Sequence, residues 1–383
     1  MNFFSIFDFL DEARERKTHD QLQNTKSSIH LAFYTRQFES LLKLCQPLQS
    51  IFAAALVPKF APTSSPELDG LLQKFRDKLF IPAWLPYEDK RAMYKKSKSQ
   101  ELLSHPVVVN VGTEDAVDNY TLRPMHIADA PSNSEVARVI RLLKTEEDWK
   151  SLIPFLSGLH SSKRDLTPHT TEMLIRRAGD LGMEAHVLQA VAQAHRTGLL
   201  MRNADFTRTL LFSIRLKAEK AGFKGPDVHL ALGQAKELVR LLNSPEHTHP
   251  VAEKDPKRLP SVIGMLLELK AAYAMDAFKG RDEDQGVRSY ANKLISTWPL
   301  EKFTVPSEWP TANWRLRTYV PLWHGMDLAL KVEEIKAQPD IRQGLEARRG
   351  ELAKAIESCL QTVDKHRQEV THTVSWTKSL LHK

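Results

Sequence analysis

Three short segments of the sequence resemble one another and recur at near-constant spacing. They cover 134–140, 169–175 and 206–212, so the first offset is 35 residues and the second is 37. A period in this range is typical of a helix–turn–helix unit whose copies stack side by side. Such an array buries its core between neighbouring helix pairs and leaves one long concave surface. The spacing therefore predicts an all-α, helical-hairpin repeat solenoid that binds a partner.

The amino-acid composition agrees with a helical fold. Of the 383 residues, 42% are hydrophobic and 26% are charged, which is normal for a globular protein. Glycine is scarce, at 15 residues, and strong helix formers are abundant. The sequence contains no run of 18 apolar residues, so we expect no transmembrane segment.

Helical periodicity and proline positions divide the chain into five segments. These are N-terminal helices over 1–60, a basic linker or extended arm over 61–131, a helical repeat domain over 132–297, a Trp/Pro-rich docking segment over 298–325 and C-terminal helices over 326–383. Within the arm, 67–80 predicts a helix and the valine-rich run 107–111 predicts a strand. In the last segment, 340–381 predicts one long helix, because apolar positions such as Leu345, Leu352 and Cys359 are seven residues apart.

The segment 298–325 combines four tryptophans with four prolines. Proline interrupts helices, so we expect this segment to lie extended across a surface. Each indole ring buries about 150–250 Å² when it packs, so four rings left in water would be unfavourable. We predict that the tryptophans dock on the helices of this chain or on a partner. They are Trp298, Trp309, Trp314 and Trp323.

Two groups of basic residues are candidates for RNA binding in a chain with a net charge of +7. The first surrounds Tyr94 in the predicted arm and consists of Lys90, Arg91, Lys95, Lys96 and Lys98. The second lies in the third repeat and consists of Arg208, Arg215, Lys217, Lys220 and Lys224. Such stripes on the inner helices of a solenoid would meet phosphates, and a basic arm with an aromatic ring would wrap RNA. The alternative is that both groups are ordinary solvated faces.

No sequence motif predicts catalysis. The chain has no glycine-rich phosphate loop, no HExxH motif and no GxSxG motif. Its two cysteines, Cys45 and Cys359, form neither a CxxC metal motif nor a disulfide framework. His247 and His249 are a close pair without a further ligand nearby, and we interpret them as part of a solvated loop. We therefore expect a non-catalytic protein without a metal or cofactor.

The repeat segments resemble the pentatricopeptide repeat (PPR) family of organelle RNA-binding proteins, whose helix pairs are about 35 residues long. The best match is Thr-Glu-Met-Leu-Ile at 171–175, followed by Gly179 and Gly182, and the resemblance covers 134–242. Members of that family usually read one base per repeat with a small polar residue of the first helix. Here Ala137 and Glu172 occupy that position in the first two repeats. Ala137 cannot hydrogen-bond a base and Glu172 would repel phosphate, so recognition of RNA shape or backbone is favoured.

Degenerate repeats with long extensions are similar to the accessory subunits of fungal and animal mitochondrial ribosomes. This resemblance implies a non-catalytic RNA- and protein-binding component of the mitochondrial ribosome or translation apparatus, located in the matrix. Its partners would be ribosomal RNA or another organelle RNA, together with ribosomal proteins or assembly subunits. The acidic residues of the first 20 positions are atypical of an import presequence. The alternative function is a protein-binding scaffold or assembly factor for a mitochondrial complex, without RNA contact.

Overall fold

Helices dominate the structure, a computed structural model that describes residues 57–111, 118–366 and 371–381. The all-α fold class is thus confirmed. The helices predicted over 1–60 fall almost entirely on residues 1–56, which lie outside the described residues. In chain order the helices are α1 (Pro66–Phe75), α2 (Ile81–Trp84), α3 (Tyr87–Tyr94), α4 (Ser99–Ser104), α5 (Asn133–Leu142), α6 (Glu146–Lys150), α7 (Leu152–Ser161), α8 (Pro168–Leu181), α9 (Glu184–Ala192), α10 (Ala194–Thr197), α11 (Ala204–Lys220), α12 (Pro226–Leu242), α13 (Pro260–Ala277), α14 (Gly286–Thr297), α15 (Trp309–Ala329), α16 (Glu333–Lys336), α17 (Pro339–His366) and α18 (His372–Leu381). Strands β1 (Val108–Val111) and β2 (Asp118–Thr121) pair in a two-stranded sheet.

The segment 61–131 is packed against the repeat helices and is not an extended arm. Helix α1 begins at Pro66, carries two acidic residues in its first turn and buries one apolar face against α5. Further along, Met93, Leu102 and Leu122 are all buried in the same hydrophobic core as the repeat helices. Only the helix at α1 and the strand at β1 were predicted. The arm interpretation fails because these scattered apolar residues share no period, yet the fold brings them together.

Local sequence signals define the beginnings and ends of the repeat helices. Ser132 caps α5 reciprocally with Glu135, as expected for a serine followed three residues later by glutamate. Thr145 caps α6 in the same way. Helix α8 ends at Leu181 and is followed by Gly182, whose φ of 75° is the left-handed conformation that favours glycine at a helix C-terminus.

The helices of the repeat domain pack in two rows. In one row α5 contacts α8, α8 contacts α11 and α11 contacts α13. In the other row α7 contacts α9 and α9 contacts α12. Within the pairs, α8 packs on α9, α11 on α12 and α13 on α14. Each helix pair from α5 to α14 is therefore in contact with the next pair along the chain.

Helix α13 joins the two hydrophobic cores of the described chain. Its residues from Pro260 to Ala272 are all buried. Val262 and Leu269 pack in the core of the preceding helices, whereas Ile263 and Leu267 pack in the core that α14, α15 and α17 form. A helix that is apolar on every side is a buried central helix. This helix therefore places charged groups such as Glu268 in the interior.

Two glycines allow α13 and α15 to cross closely. A Cβ atom at Gly325 would lie 2.6 Å from the carbonyl oxygen of Gly264, and one at Gly264 would overlap Leu322. Real side chains do not come this close, so both positions exclude larger residues. The close crossing brings His324 on α15 within reach of Glu268 on α13.

Helix α15 shows that the extended conformation expected for 298–325 is wrong from Trp309 onward. This helix runs through 21 residues and includes Pro310 and Pro321. Pro310 lies in the first turn, where a backbone N–H has no acceptor within the helix in any case. Pro321 lies inside the helix, but α15 is held on two sides by α13 and α17. Tertiary packing thus overrides the local cost of the internal proline.

The C-terminal region contains two helices in place of the single one predicted over 340–381. Helix α17 ends at His366 and α18 begins at His372. The spacing of seven residues correctly identifies the packed face of α17, since Leu345, Leu352 and Cys359 are all buried. Helix α18 packs against α15. Among the helices of the described ranges, none is both long and apolar enough to cross a membrane.

Candidate nucleic-acid interface

The first basic group lies on the surface formed by α3 and the short helical turn that follows it. Met93 anchors α3 in the core and is 1% exposed. The group divides by exposure: Lys90 is half-buried, whereas Arg91, Lys95, Lys96 and Lys98 are exposed. Within the described part of the chain, none of the five makes an ion pair. We call the four exposed residues the α3 basic cluster.

The aromatic ring inside this cluster does not project as the sequence suggested. Tyr94 is half-buried and packs on the first hydrophobic core. Burial raises the pKa of its phenol, and the negative charge of Asp129 raises that pKa further. The exposed ring nearby is Tyr87 at the start of α3, which is 72% exposed. The α3 basic cluster therefore offers solvated charge without a stacking ring at position 94.

Arg215 is in the interior, which contradicts its predicted role on an RNA-binding face. Its side chain is fully buried, and its Nε and Nη2 donate to the two carboxylate oxygens of Glu268 at 2.6 and 3.0 Å. Nη1 donates to Glu219 at 2.6 Å. The guanidinium carbon also lies 4.6 Å from the ring centroid of Trp376 on α18. Helical spacing predicted that Arg215 lies on the same helix face as Arg208. It could not show that α13, α15 and α18 cover the part of this face that holds Arg215.

His324 completes this buried network. Its Nδ1 lies 2.7 Å from Glu268 Oε1, on the same oxygen that accepts from Arg215. Burial lowers the pKa of Arg215, but Glu268 and Glu219 outweigh that effect and hold the pKa above its ordinary value. The guanidinium is therefore charged and fully committed to internal partners. Its contribution is to hold α11, α13 and α15 together.

Arg208 and Lys217 are likewise engaged by carboxylates of this chain. Arg208 Nη2 donates to Glu301 at 2.8 Å, and its Nε donates to the hydroxyl of Ser261 at 2.9 Å. Lys217 Nζ lies 3.0 Å from a carboxylate oxygen of the buried Glu184. Both cations thus connect helices. The stripe predicted on this helix is mainly an internal electrostatic network.

The remaining two cations of the second group, Lys220 and Lys224, are exposed at the C-terminal end of α11 and in the turn after it. No ion pair involves them among the described residues. Since Arg215 is buried and Arg208 and Lys217 pair with carboxylates of this chain, the ten predicted residues do not form one exposed site.

The tryptophans of 298–325 lie mainly against this chain. Trp298 is buried in the second core, and its indole N–H donates to Glu351 at 3.0 Å. Trp323 packs against the same core and is half-buried. Trp309 and Trp314 are also half-buried, and Trp314 lines a surface cavity with α8 and α11. Of the two docking alternatives, the intramolecular one describes Trp298 and Trp323.

His247 is a buried structural residue and does not lie in a solvated loop. Its Nδ1 accepts from the backbone N–H of Met201 at 3.3 Å, and its Nε2 donates to the carbonyl of Val191 at 3.2 Å. Burial lowers the pKa of this imidazole, so the neutral form is favoured. In the described ranges, no three His, Cys, Asp or Glu residues are placed to hold a metal ion.

Sequence reasoning missed Arg317, which lies half-buried on α15 beside the cavity at Trp314. Burial lowers the pKa of this arginine and the positive charge of Arg176 lowers it further, while the negative charge of Glu172 opposes both effects without outweighing them. A helical interpretation of 309–329 would have found it, because Trp314 and Arg317 are three residues apart and share a helix face. The prolines of this segment argued against a helix, so the sequence analysis did not place Arg317 beside Trp314.

These features describe a helical protein with an exposed basic cluster and a surface cavity. Comparison with known proteins gives the family. The model of the family Mrp13, mitochondrial ribosomal protein mS27, matches residues 48–380, and the chain belongs to this family. The predicted resemblance to a mitochondrial ribosomal protein is thereby confirmed.

One relative of known name is the small ribosomal subunit protein mS27 of Neurospora crassa. This chain is 26% identical to it over 267 residues. The aligned region covers 64% of this chain and 66% of the relative, just under two thirds of the relative's length.

Proposed function

We propose that this chain is a non-catalytic component of the small subunit of the mitochondrial ribosome, in the mitochondrial matrix. The observation that carries the proposal is the family match, which extends over 48–380 and so includes both hydrophobic cores. The absence of a catalytic motif agrees with a structural role. Ribosomal proteins and ribosomal RNA are then the partners.

We infer in addition that the paired helices from α5 to α14 form a PPR-like repeat array. Support comes from the two rows of contacts, in which helices of successive pairs touch in sequence order. The period of about 36 residues in the sequence favours the same interpretation. The basic face of α11, which was the candidate for phosphate contact, is occupied by internal ion pairs, so we assign the array a structural role.

RNA contact is assigned to the α3 basic cluster. Its cations are exposed and make no ion pair within the described part of the chain, so they remain available to phosphates. Cations that are already paired with carboxylates, such as Arg208 and Lys217, would have to lose those partners first. Binding through solvated lysines reads backbone charge and not base sequence.

The test is charge reversal of Lys95, Lys96 and Lys98 to glutamate in the full chain. Binding to a fluorescent single-stranded RNA is measured by anisotropy over a range of salt concentrations. The dependence of log affinity on log salt should become shallower by about 0.7 per lost contact, and so by about 2 for three lysines. The affinity should fall at every salt concentration.

A matched control reverses three exposed lysines elsewhere, Lys236, Lys302 and Lys354, which gives the same change in net charge. This control separates a local contact from a general effect of charge. If both triple variants behave alike, the cluster is not the RNA contact. If the cluster variant still sediments with the small subunit after nuclease treatment while RNA binding is unaltered, the scaffold function without RNA contact is favoured.

A further inference from the structure

A surface cavity of about 520 Å³ lies between α8, α11 and α15. Its apolar wall includes Ile175, Phe206 and Trp314, from three different helices. At its mouth Leu200 is 40% exposed, so the apolar lining continues onto the surface. A cavity of this size and composition accommodates one or two amino-acid side chains.

A small recess of about 30 Å³ is lined by Arg317. Glu172, Thr209 and Trp314 line both this recess and the cavity, so the two spaces are adjacent. Arg317 makes no hydrogen bond or ion pair with any residue in the described ranges. Glu172 lines the same recess, but its carboxylate pairs with Arg176 at 3.2 Å and makes no ion pair with Arg317. The half-buried guanidinium of Arg317 has therefore lost hydration without gaining a direct partner. The recess therefore favours one negatively charged group.

The rim of the cavity has the opposite charge. Asp165, Glu172 and Asp205 line it; Glu172 pairs with Arg176 and Asp205 with Arg208, and Asp165 lies 2.7 Å from His160 Nδ1. Three carboxylates around one opening repel a chain of phosphates. They tolerate a ligand that brings a single charge and places it in the recess at Arg317. The distribution of charge thus disfavours RNA at this site.

We propose that this cavity binds a peptide segment of another protein, with an aromatic or large aliphatic side chain between α8 and α11 and a carboxylate on Arg317. The carboxylate is an Asp, a Glu or the C-terminus of the segment. Arg317 and carboxylate geometry match in a bidentate pair. The segment buries the apolar lining and gives the guanidinium its missing partner. This surface is distinct from the α3 basic cluster, and the inference extends the proposed function from RNA to a protein neighbour.

Site-specific photo-crosslinking tests the proposal in the native complex. A benzoylphenylalanine replaces Thr209, which lines both spaces, in a tagged full-length chain expressed in its own cells. The control places the same probe at Leu230 on α12, which is 49% exposed and does not line the cavity. Crosslinked products are purified by the tag and identified by mass spectrometry.

The expected product is a peptide of a second protein with an acidic residue or its C-terminus within about three residues of the linked site. Its yield should fall at least tenfold in Arg317→Glu and much less in Arg317→Lys. Replacement of the identified acid by lysine should restore the yield with Arg317→Glu. A nucleotide adduct, a link within the same chain, a yield independent of Arg317 or no crosslink would each overturn the proposal.

The same samples distinguish this inference from the proposed function. Sedimentation of the tagged chain with the small ribosomal subunit is measured before irradiation. If the chain sediments with the subunit but gives no Arg317-dependent link, only the peptide site is wrong. If it gives that link but does not sediment with the subunit, the ribosomal function is wrong and the peptide site stands.

Discussion

Replacing Arg215 by methionine tests whether the buried network is a main determinant of stability. The guanidinium donates three hydrogen bonds to carboxylates, two to Glu268 and one to Glu219. At about 1.5–3 kcal/mol for each charge-assisted bond, their sum has an upper bound of about 9 kcal/mol. Removing one partner of a buried pair costs about 3–5 kcal/mol, because the other charge is left in the interior. We expect Arg215→Met to cost about this amount, since His324 still contacts Glu268.

Urea unfolding followed by far-ultraviolet circular dichroism measures the cost, by linear extrapolation of the free energy of unfolding. A double-mutant cycle with Glu268→Gln isolates the coupling. The double variant should be more stable than the sum of the two single effects predicts, because it leaves no unpaired carboxylate at position 268. Arg240→Met is the matched control: Arg240 pairs with Glu237 on the exposed side of α12, and its loss should leave the unfolding midpoint almost unchanged.

Two results would refute this reasoning. One is a change in unfolding midpoint for Arg215→Met no larger than that for Arg240→Met. The other is strict additivity of the Arg215 and Glu268 substitutions, which would mean that the two side chains stabilise the fold independently.

Three further predictions concern other parts of the fold. Burial raises the pKa of Asp148, but hydrogen bonds from the backbone of Thr145 and Ser64 outweigh this and hold the pKa well below its usual range. The difference in free energy of unfolding between the native sequence and Asp148→Asn should therefore be constant above the unfolded pKa of about 4 and shrink as the pH falls below it. Unfolding titrations over a range of pH measure this difference, and a difference that grows in acid would contradict a lowered pKa at Asp148. Gly264→Ala should destabilise by about 1–3 kcal/mol through overlap with α15, whereas Gly233→Ala, with open space around it, should stabilise by about 0.5–1 kcal/mol; equal thermal shifts would argue against the close crossing. Burial raises the pKa of Cys359 to about 11, so in a Cys45→Ala background its thiol should react with a disulfide reagent only after unfolding; rapid reaction of the native protein would contradict the packing of α17.

The starts of the repeat helices could be predicted because their signals are local. Ser132 and Glu135 are three residues apart and satisfy each other's backbone groups within one turn. The spacing of Leu345, Leu352 and Cys359 likewise showed which face of α17 is buried. These elements depend on neighbours in the sequence, so inspection of a short window suffices.

Only the tertiary structure determined whether each basic side chain is buried, paired or exposed. Arg215 is buried because Glu268, 53 positions away, and helices α15 and α18 close over it. Arg208 pairs with Glu301, which is 93 positions away. Lys96 remains exposed in the α3 basic cluster, although the sequence alone did not distinguish it from Arg208 and Arg215. A charge pattern specifies a helix face, but burial of that face depends on residues that contact it only after folding.

The same distinction explains the error at α15 and the late recognition of the cavity at Trp314. The local cost of Pro321 argued against a helix, and the packing of α15 between α13 and α17 outweighed that cost. Once α15 is a helix, Trp314 and Arg317 share a face and complete a cavity with α8 and α11. The sequence by itself determined that the fold is helical, how the repeats are spaced and which basic residues are close together in the chain. The tertiary structure decided which of those groups are free to bind, because long-range packing sets the burial and pairing of each charge.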